Sequence, residues 1–177
     1  SDLSNLVSEA IDAIMLTSET TVSLNPLSTV ETIKKIIKAS EESIDYNDFF
    51  KKSLDKDKKT IAGTISSSVV LGVNELGCKA VVVTTNRGRT AKIISNLKPP
   101  CPIIAATSNK AVVKSLQLCF GVLPVLVDNY NIDNITSKVK EAVQDEIKLN
   151  PGDKIIVTGG YPFKELKYTN FMKIEEL

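Results

Sequence analysis

The chain alternates short β-branched runs with segments of helical periodicity, and this alternation limits the folds open to it more than any other feature. Val81-Val82-Val83, Ile103-Ile104-Ala105-Ala106, Val122 to Val127 and Lys154 to Thr158 read as strands. Between them lie Thr90 to Leu97, a segment capped by Thr107 or Ser108 and running to about Leu118, and the amphipathic stretch Asn131 to Lys148. Apolar strands joined by helices call for a parallel sheet buried on both faces. Pro124 shortens the third strand or places it at an edge. Phe171 to Ile174 follows the fourth strand with no helix between, so it is expected to run antiparallel. The expected class is α/β: an open, mostly parallel five-stranded sheet with helices on both faces and one antiparallel strand.

The first 45 residues read as helix, strand and helix. Leu3, Leu6, Val7 and Ala10 have helical spacing, with Asp2 or Ser1 as cap. Ile11 to Leu16 reads as a buried strand and Thr17 to Thr20 as its polar end. Asn25-Pro26 starts a helix, with Asn as N-cap and Pro at the first helical position, and Leu27, Val30, Ile33, Ile36, Ile37 and Ile44 line one face. One such unit cannot cover both faces of its own strand, so it is expected to be the end of a larger α/β domain. The chain lacks an initiator Met and opens inside a pattern, which is the expectation for a piece of a longer protein. Residues 46–57 read as a linker, with Lys51, Lys52, Lys56, Lys58 and Lys59 on a solvated stretch. Ile61, Ile65, Val69, Val73 and Leu76 then mark a helix that ends at Gly77.

Composition removes several chemistries. The chain has no histidine, which excludes His-based acid–base catalysis, His metal sites and Ser-His triads within it. Cys78, Cys101 and Cys119 form no C-x-x-C and are expected to be buried and reduced, as in a cytoplasmic or organellar protein. No apolar run approaches a membrane span. The net charge of +1 suggests neither nucleic acid nor membrane as partner. Its distribution is uneven. Residues 1–50 carry three lysines against nine acids, net −6, and residues 51–177 carry nineteen bases against twelve acids, net +7. That asymmetry suggests two structural units.

The stretch with the most suggestive chemistry runs from Lys79 to Ala91. A buried strand ends in polar residues, then one glycine lies between two arginines, and a helix begins. Backbone N–H groups at a helix start favour anions. Arg87 and Arg89 add two forks suited to phosphate. The same pattern also fits an ordinary turn with solvated arginines. In open α/β sheets ligands bind beyond the C-terminal strand ends. The second polar strand end, Thr158 to Glu165, would share a crevice with the first if their strands are neighbours, and Lys164 and Lys167 would add charge there. No G-x-G-x-x-G or Walker loop follows any strand.

Several of these stretches together resemble pyruvate kinase. Asp12 to Thr20 is similar to the M-L-S-G-E-T segment at the end of that family's barrel. Lys79 to Ala91 is similar to its strand and T-x-S-G-R-S-A turn, and Lys98 to Thr107 to its R-P-x-x-P-I-I-A-x-T stretch. Phe120 to Pro124 resembles G-V-x-P. Gly152-Asp153, Thr158-Gly159 and Thr169 to Ile174 resemble the closing G-D, V-T-x-G and T-N-x-M-K-V. Three positions depart from the pattern. Ser18 stands where the family has glycine, and Arg87 where it often has serine. The loop from Gly160 to Leu166 lacks the glycine-rich, tryptophan-containing form of the sugar-bisphosphate-responsive members.

The resemblance implies that residues 1–45 end a catalytic (β/α)8 barrel and that residues 58–177 form the regulatory C-terminal domain, which also contributes to a homotetramer. The implied parent enzyme is glycolytic and transfers phosphate from phosphoenolpyruvate to ADP, giving pyruvate and ATP, with Mg²⁺ and K⁺. Its partners would be the rest of the pyruvate kinase chain and a phosphorylated small-molecule effector. Neither metal would be held by these 177 residues, which alone would be inactive. Thr17, Ser18, Glu19 and Thr20 would touch the active-site rim. Thr85, Asn86, Arg87, Gly88, Arg89, Thr90, Gly159, Gly160, Tyr161 and Lys164 would bind the effector phosphate. Two other readings are a purely structural assembly domain without effector, and a free-standing phosphate-ligand-binding protein. The incomplete βα unit at residues 1–45 argues against the last.

Overall fold

The apolar runs pair as the alternation requires. The computed structural model describes residues 2–53, 60–163 and 168–177. They divide into two compact units, Ser1–Asp45 and Tyr46–Leu177.

The second unit is built on five strands: β1 (Ala80–Thr84), β2 (Ile103–Thr107), β3 (Val122–Leu126), β4 (Lys154–Gly159) and β5 (Phe171–Glu176). Their spatial order is β3-β2-β1-β4-β5. The first four are parallel and β5 runs antiparallel to β4. Pro124 lies on β3, at the edge, where a missing N–H costs the sheet least. Seen from β1, the chain moves outward through β2 to β3, then returns to the other side of β1 to form β4. Right-handed crossovers put the connecting helices of these two directions on opposite faces.

The core residues follow that rule. On one face Val81, Val83, Ile103, Ala105 and Ile156 pack with helices α5 (Ile61–Leu76), α6 (Arg89–Asn96) and α7 (Lys110–Leu116). On the other, Ala80, Val82, Ile104, Ala106, Ile155 and Val157 pack with α8 (Ile135–Ala142) through Ile135 and Val139. Alternate residues of each strand serve alternate faces, the period-two rule of a pleated sheet. Gly77 ends α5, and its N–H reaches Val73 O. Thr60 begins it, its hydroxyl accepting from Gly63 N at 3.0 Å.

The first unit contains α1 (Asp2–Ser8), α2 (Ser18–Thr21) and α3 (Pro26–Glu41), with α1 and α2 packed on α3. Asn25 caps α3 by accepting from Ser28 N at 3.2 Å, and Pro26 occupies the first turn as expected. The strand expected at Ile11 to Leu16 does not form; that segment is irregular and Met15 is exposed. A strand is stable only where a neighbour accepts its ladder, and this unit offers none. Its expected polar end, Thr17 to Thr20, instead enters the single helical turn α2.

Four further expectations are corrected. The stretch read as a linker carries α4 (Tyr46–Ser53), whose Phe50 joins the core on the α5 face. Lys56, Lys58 and Lys59 lie outside the described residues. The cap of α7 is Asn109, accepting from Ala111 N at 2.9 Å, because Thr107 uses its hydroxyl to accept from Asn109 N. The stretch from Asn131 to Lys148 is helical only over Ile135–Ala142. Asn131 Oδ1 accepts from Asp133 N and Asn134 N, and Asn134 Oδ1 accepts from Asn131 N; these side chains offer the backbone a turn in place of helix. Of the three thiols, all unpaired, only Cys78 is buried and the other two are half-buried. Burial nonetheless pushes the Cys101 thiol up to about 12, the adjacent Cys78 adding to the effect against an opposing N–H of Val81. Among the described residues no helix is long and apolar enough to cross a membrane.

Two predictions concern β4 and β5. A Cβ at Gly159 would sit 2.7 Å from the carbonyl oxygen of Thr84, at a φ of +156°. Gly159→Ala is expected to cost about 2–3 kcal/mol in urea unfolding, by forcing backbone apart where neither strand can yield. Glu175 of β5 accepts from Thr136 of α8 and pairs with Lys173. Burial raises its carboxyl, but the bonds from Lys173 and Thr136 and the lysine charge outweigh it and hold it below 4.5. A depressed carboxyl stabilises the fold above its unfolded value and loses that contribution as pH falls through the folded one. Glu175→Gln should cost about 1 kcal/mol at pH 7, and its stability should fall less steeply than wild type's below pH 4.5, read from unfolding midpoints across pH.

Candidate functional site

The reversal of strand order lies between β1 and β4, and Thr84 pairs there with Gly159. The two polar strand ends are therefore neighbours. Chains leaving adjacent strands toward opposite faces leave a crevice at the C-terminal edge. A cavity of about 540 Å³ opens there, within the second unit.

One wall is the β1 turn. Thr85 is buried; its N–H donates to Ala106 O at 3.0 Å, and its hydroxyl accepts from Gly88 N at 2.9 Å. That bond folds the chain back into the first turn of α6. Gly88 is the N-cap in left-handed conformation, φ 78°. A Cβ there would meet Leu116 of α7 at 3.1 Å, so both strain and space reserve the position for glycine. The first helical bond runs from Lys92 N to Gly88 O. The N–H groups of Arg89, Thr90 and Ala91 precede it and have no helical acceptor. Asn86, Arg87, Arg89 and Thr90 line the cavity, with both arginines exposed.

The opposite wall is the β4–β5 connection. Gly160 lines the cavity, and so do Phe163, Tyr168 and Thr169. Asn170 fastens the neck of this loop. Its N–H donates to Gly159 O at 2.9 Å, its side-chain oxygen accepts from Tyr161 N at 2.8 Å, and its side-chain NH₂ donates to Tyr161 O at 2.7 Å. Phe163 sits edge-on to Tyr130, Tyr161 and Phe171, with ring centroids 5.4–5.8 Å apart. Burial and the nearby Asp128 raise the Tyr130 hydroxyl above its ordinary value, so it remains a donor at neutral pH. The two walls meet where the hydroxyls of Thr90 and Thr169 bond at 2.6 Å.

Of the ten residues singled out for an effector, six line this cavity: Thr85, Asn86, Arg87, Arg89, Thr90 and Gly160. Gly88 and Gly159 support it from the backbone, Tyr161 does not line it, and Lys164 lies outside the described residues, as does Lys167. Sequence reasoning missed Thr60, Ile61 and Ala62 at the start of α5, Ile93 of α6, and Tyr130, Phe163, Tyr168 and Thr169. The aromatic residues carry no local signal of a site. Thr60 carried one, as a cap ahead of an apolar helix, and Thr169 carried one, as a polar residue at the start of a strand facing the end of β4.

The four rim residues form a local structure in the first unit. Glu19 accepts from Thr17 N at 2.9 Å and from the Thr17 hydroxyl at 3.2 Å. Backbone N–H groups of Glu19 and Thr17, and then the hydroxyl, hold its carboxyl below the ordinary value. Ser18 opens the α2 turn, and Thr20 donates its hydroxyl to Thr17 O at 3.2 Å.

Residues 63–175 match the family described as "Pyruvate kinase, alpha/beta domain". The chain is 32% identical over 177 residues to a pyruvate kinase of Sporosarcina psychrophila, covering 98% of this chain and 30% of that protein. It is 33% identical over 180 residues to the pyruvate kinase of Clostridium perfringens, covering 100% of this chain and 38% of that protein. To the enzyme of Geobacillus stearothermophilus it is 30% identical over 175 residues, covering 98% and 30%. It thus spans 30–38% of the length of these relatives. With the matched segment covering the sheet from before β1 into β5, the chain belongs to the pyruvate kinase family and contains its alpha/beta domain.

Proposed function

We propose that the chain is the C-terminal part of a glycolytic, cytoplasmic or organellar pyruvate kinase and that its cavity binds a phosphorylated small-molecule effector. The observation that supports the effector site is the crevice at the strand-order reversal, where the start of α6, Arg87, Arg89 and three threonine hydroxyls face one space. Donors and cations converging on one cavity suit an oxyanion with several acceptor oxygens. In this reading residues 1–45 close the catalytic barrel, with Thr17 to Thr20 at the active-site rim, and residues 58–177 regulate and assemble a homotetramer. Transfer of phosphate from phosphoenolpyruvate to ADP belongs to the whole enzyme, where Mg²⁺ and K⁺ supply charge stabilisation. Among the described residues no three His, Cys, Asp or Glu side chains converge to hold a metal ion, so no step through either ion is assigned to this chain.

A second reading, assembly without an effector, draws on the large apolar side chains left exposed on α5 and β5: Ile61, Leu71, Leu76 and Ile174. Sedimentation that stays monomeric at high concentration would count against it.

Thermal unfolding with phosphorylated sugars and nucleotides tests the effector site. A ligand at 100 times its Kd should stabilise the domain by about 2.7 kcal/mol, several degrees in Tm. Arg89→Ala should weaken the response about tenfold in affinity, with its unliganded Tm unchanged. No shift with any phosphorylated compound, in wild type or variant, removes the effector site and leaves the assembly reading.

A further inference from the structure

Thr90 and Thr169 come from opposite walls of the cavity and are 79 positions apart in sequence. Both are nearly shielded from solvent, at 8% and 3% exposure, and both line the cavity. Their hydroxyl oxygens lie 2.6 Å apart. Each hydroxyl has one proton and two lone pairs. The bond between them uses one proton and leaves the other to a third group.

We propose that Thr169 is a positioning residue that orients this hydroxyl pair toward the phosphate group of a phosphate monoester in the cavity. The inference rests on the effector reading above and names a residue that completes it. An anion facing Thr90 selects the direction in which Thr169 donates to Thr90 and Thr90 donates to the anion. An anion facing Thr169 selects the reverse. Either way the two bonds point along one chain, and each strengthens the other.

The pair is set in place before any ligand arrives. Thr90 is fixed by the first turn of α6, through Lys92 N to Gly88 O and Gly88 N to the Thr85 hydroxyl. Thr169 is fixed by its sequence neighbour Asn170, which is bonded to Gly159 O and to both backbone polar groups of Tyr161. On the other flank the Thr158 hydroxyl donates to Phe171 O at 2.7 Å. A donor held on both flanks loses little freedom on binding, which is the energetic value of preorganisation. Arg87 and Arg89 supply charge from the exposed rim, and the hydroxyl pair supplies direction from the buried floor.

Titration calorimetry of the 177-residue chain tests this, with inorganic phosphate and glycerol phosphate as probes at constant ionic strength. Thr169→Val should weaken both probes about tenfold, the scale of one hydrogen bond to a charged group, and Thr169→Ser should bind within about twofold of wild type. Thr90→Val should weaken binding at least as much. The double variant should be no more than about twofold weaker than Thr90→Val alone, because the pair acts as a unit. Thr169→Ala provides the same deletion if valine disturbs the neck, and unliganded Tm separates folding from binding. Wild-type affinity in Thr169→Val or Thr169→Ala overturns the positioning role and leaves the phosphate site standing. Absence of binding by wild type to either probe overturns the phosphate site and the role of Thr169 with it.

Discussion

Burial of β1 on every side is the constraint from which the rest of the second unit follows. Ala80 to Val83 have no exposed surface, lie between two parallel neighbours, and send alternate side chains to two separate cores. A strand in that position cannot turn back on itself. It must leave through its C-terminal end, and its two neighbours must be reached by crossovers on opposite faces. The reversal of strand order at β1, the crevice beside it and the placing of the Arg-Gly-Arg turn at its mouth are consequences of that one burial.

The same burial made the fold legible. A run such as Val81-Val82-Val83 suits neither an amphipathic helix nor an exposed edge, and Pro124 marked the strand that could tolerate an unpaired position. Gly77 and Asn25-Pro26 were legible because caps are local chemistry. Failures occurred where the outcome depends on something distant. Ile11 to Leu16 has the composition of a strand, but a ladder needs a neighbour and composition does not supply one. Phe50 sits among lysines that read as solvated, yet its ring enters the core. The start of the Asn131 stretch kept helical spacing while its asparagine side chains drew the backbone into turns.

The candidate site divides in the same way. The β1 turn was readable, because an anion site built on a strand end and a helix start is contiguous in sequence. The facing wall was only half readable. Gly160 follows a strand end, but Tyr130, Phe163 and Tyr168 look like ordinary packing residues until the loop brings them to the cavity. Thr169 acquires its meaning only from Thr90, which no spacing rule connects to it.

The Asn170 clasp has a consequence for how this domain can diversify. With Gly159 and Tyr161 both fastened to Asn170, the segment between Tyr161 and Thr169 is a cassette with fixed ends. Residues can be exchanged or inserted within it without transmitting a change in register to β4 or β5, since the mismatch stops at the clasp. One wall of the cavity is thus free to vary while the other is tied to the sheet. A lineage can retune which molecule the crevice accepts by rewriting a few loop residues, and the strands that carry the fold stay as they are.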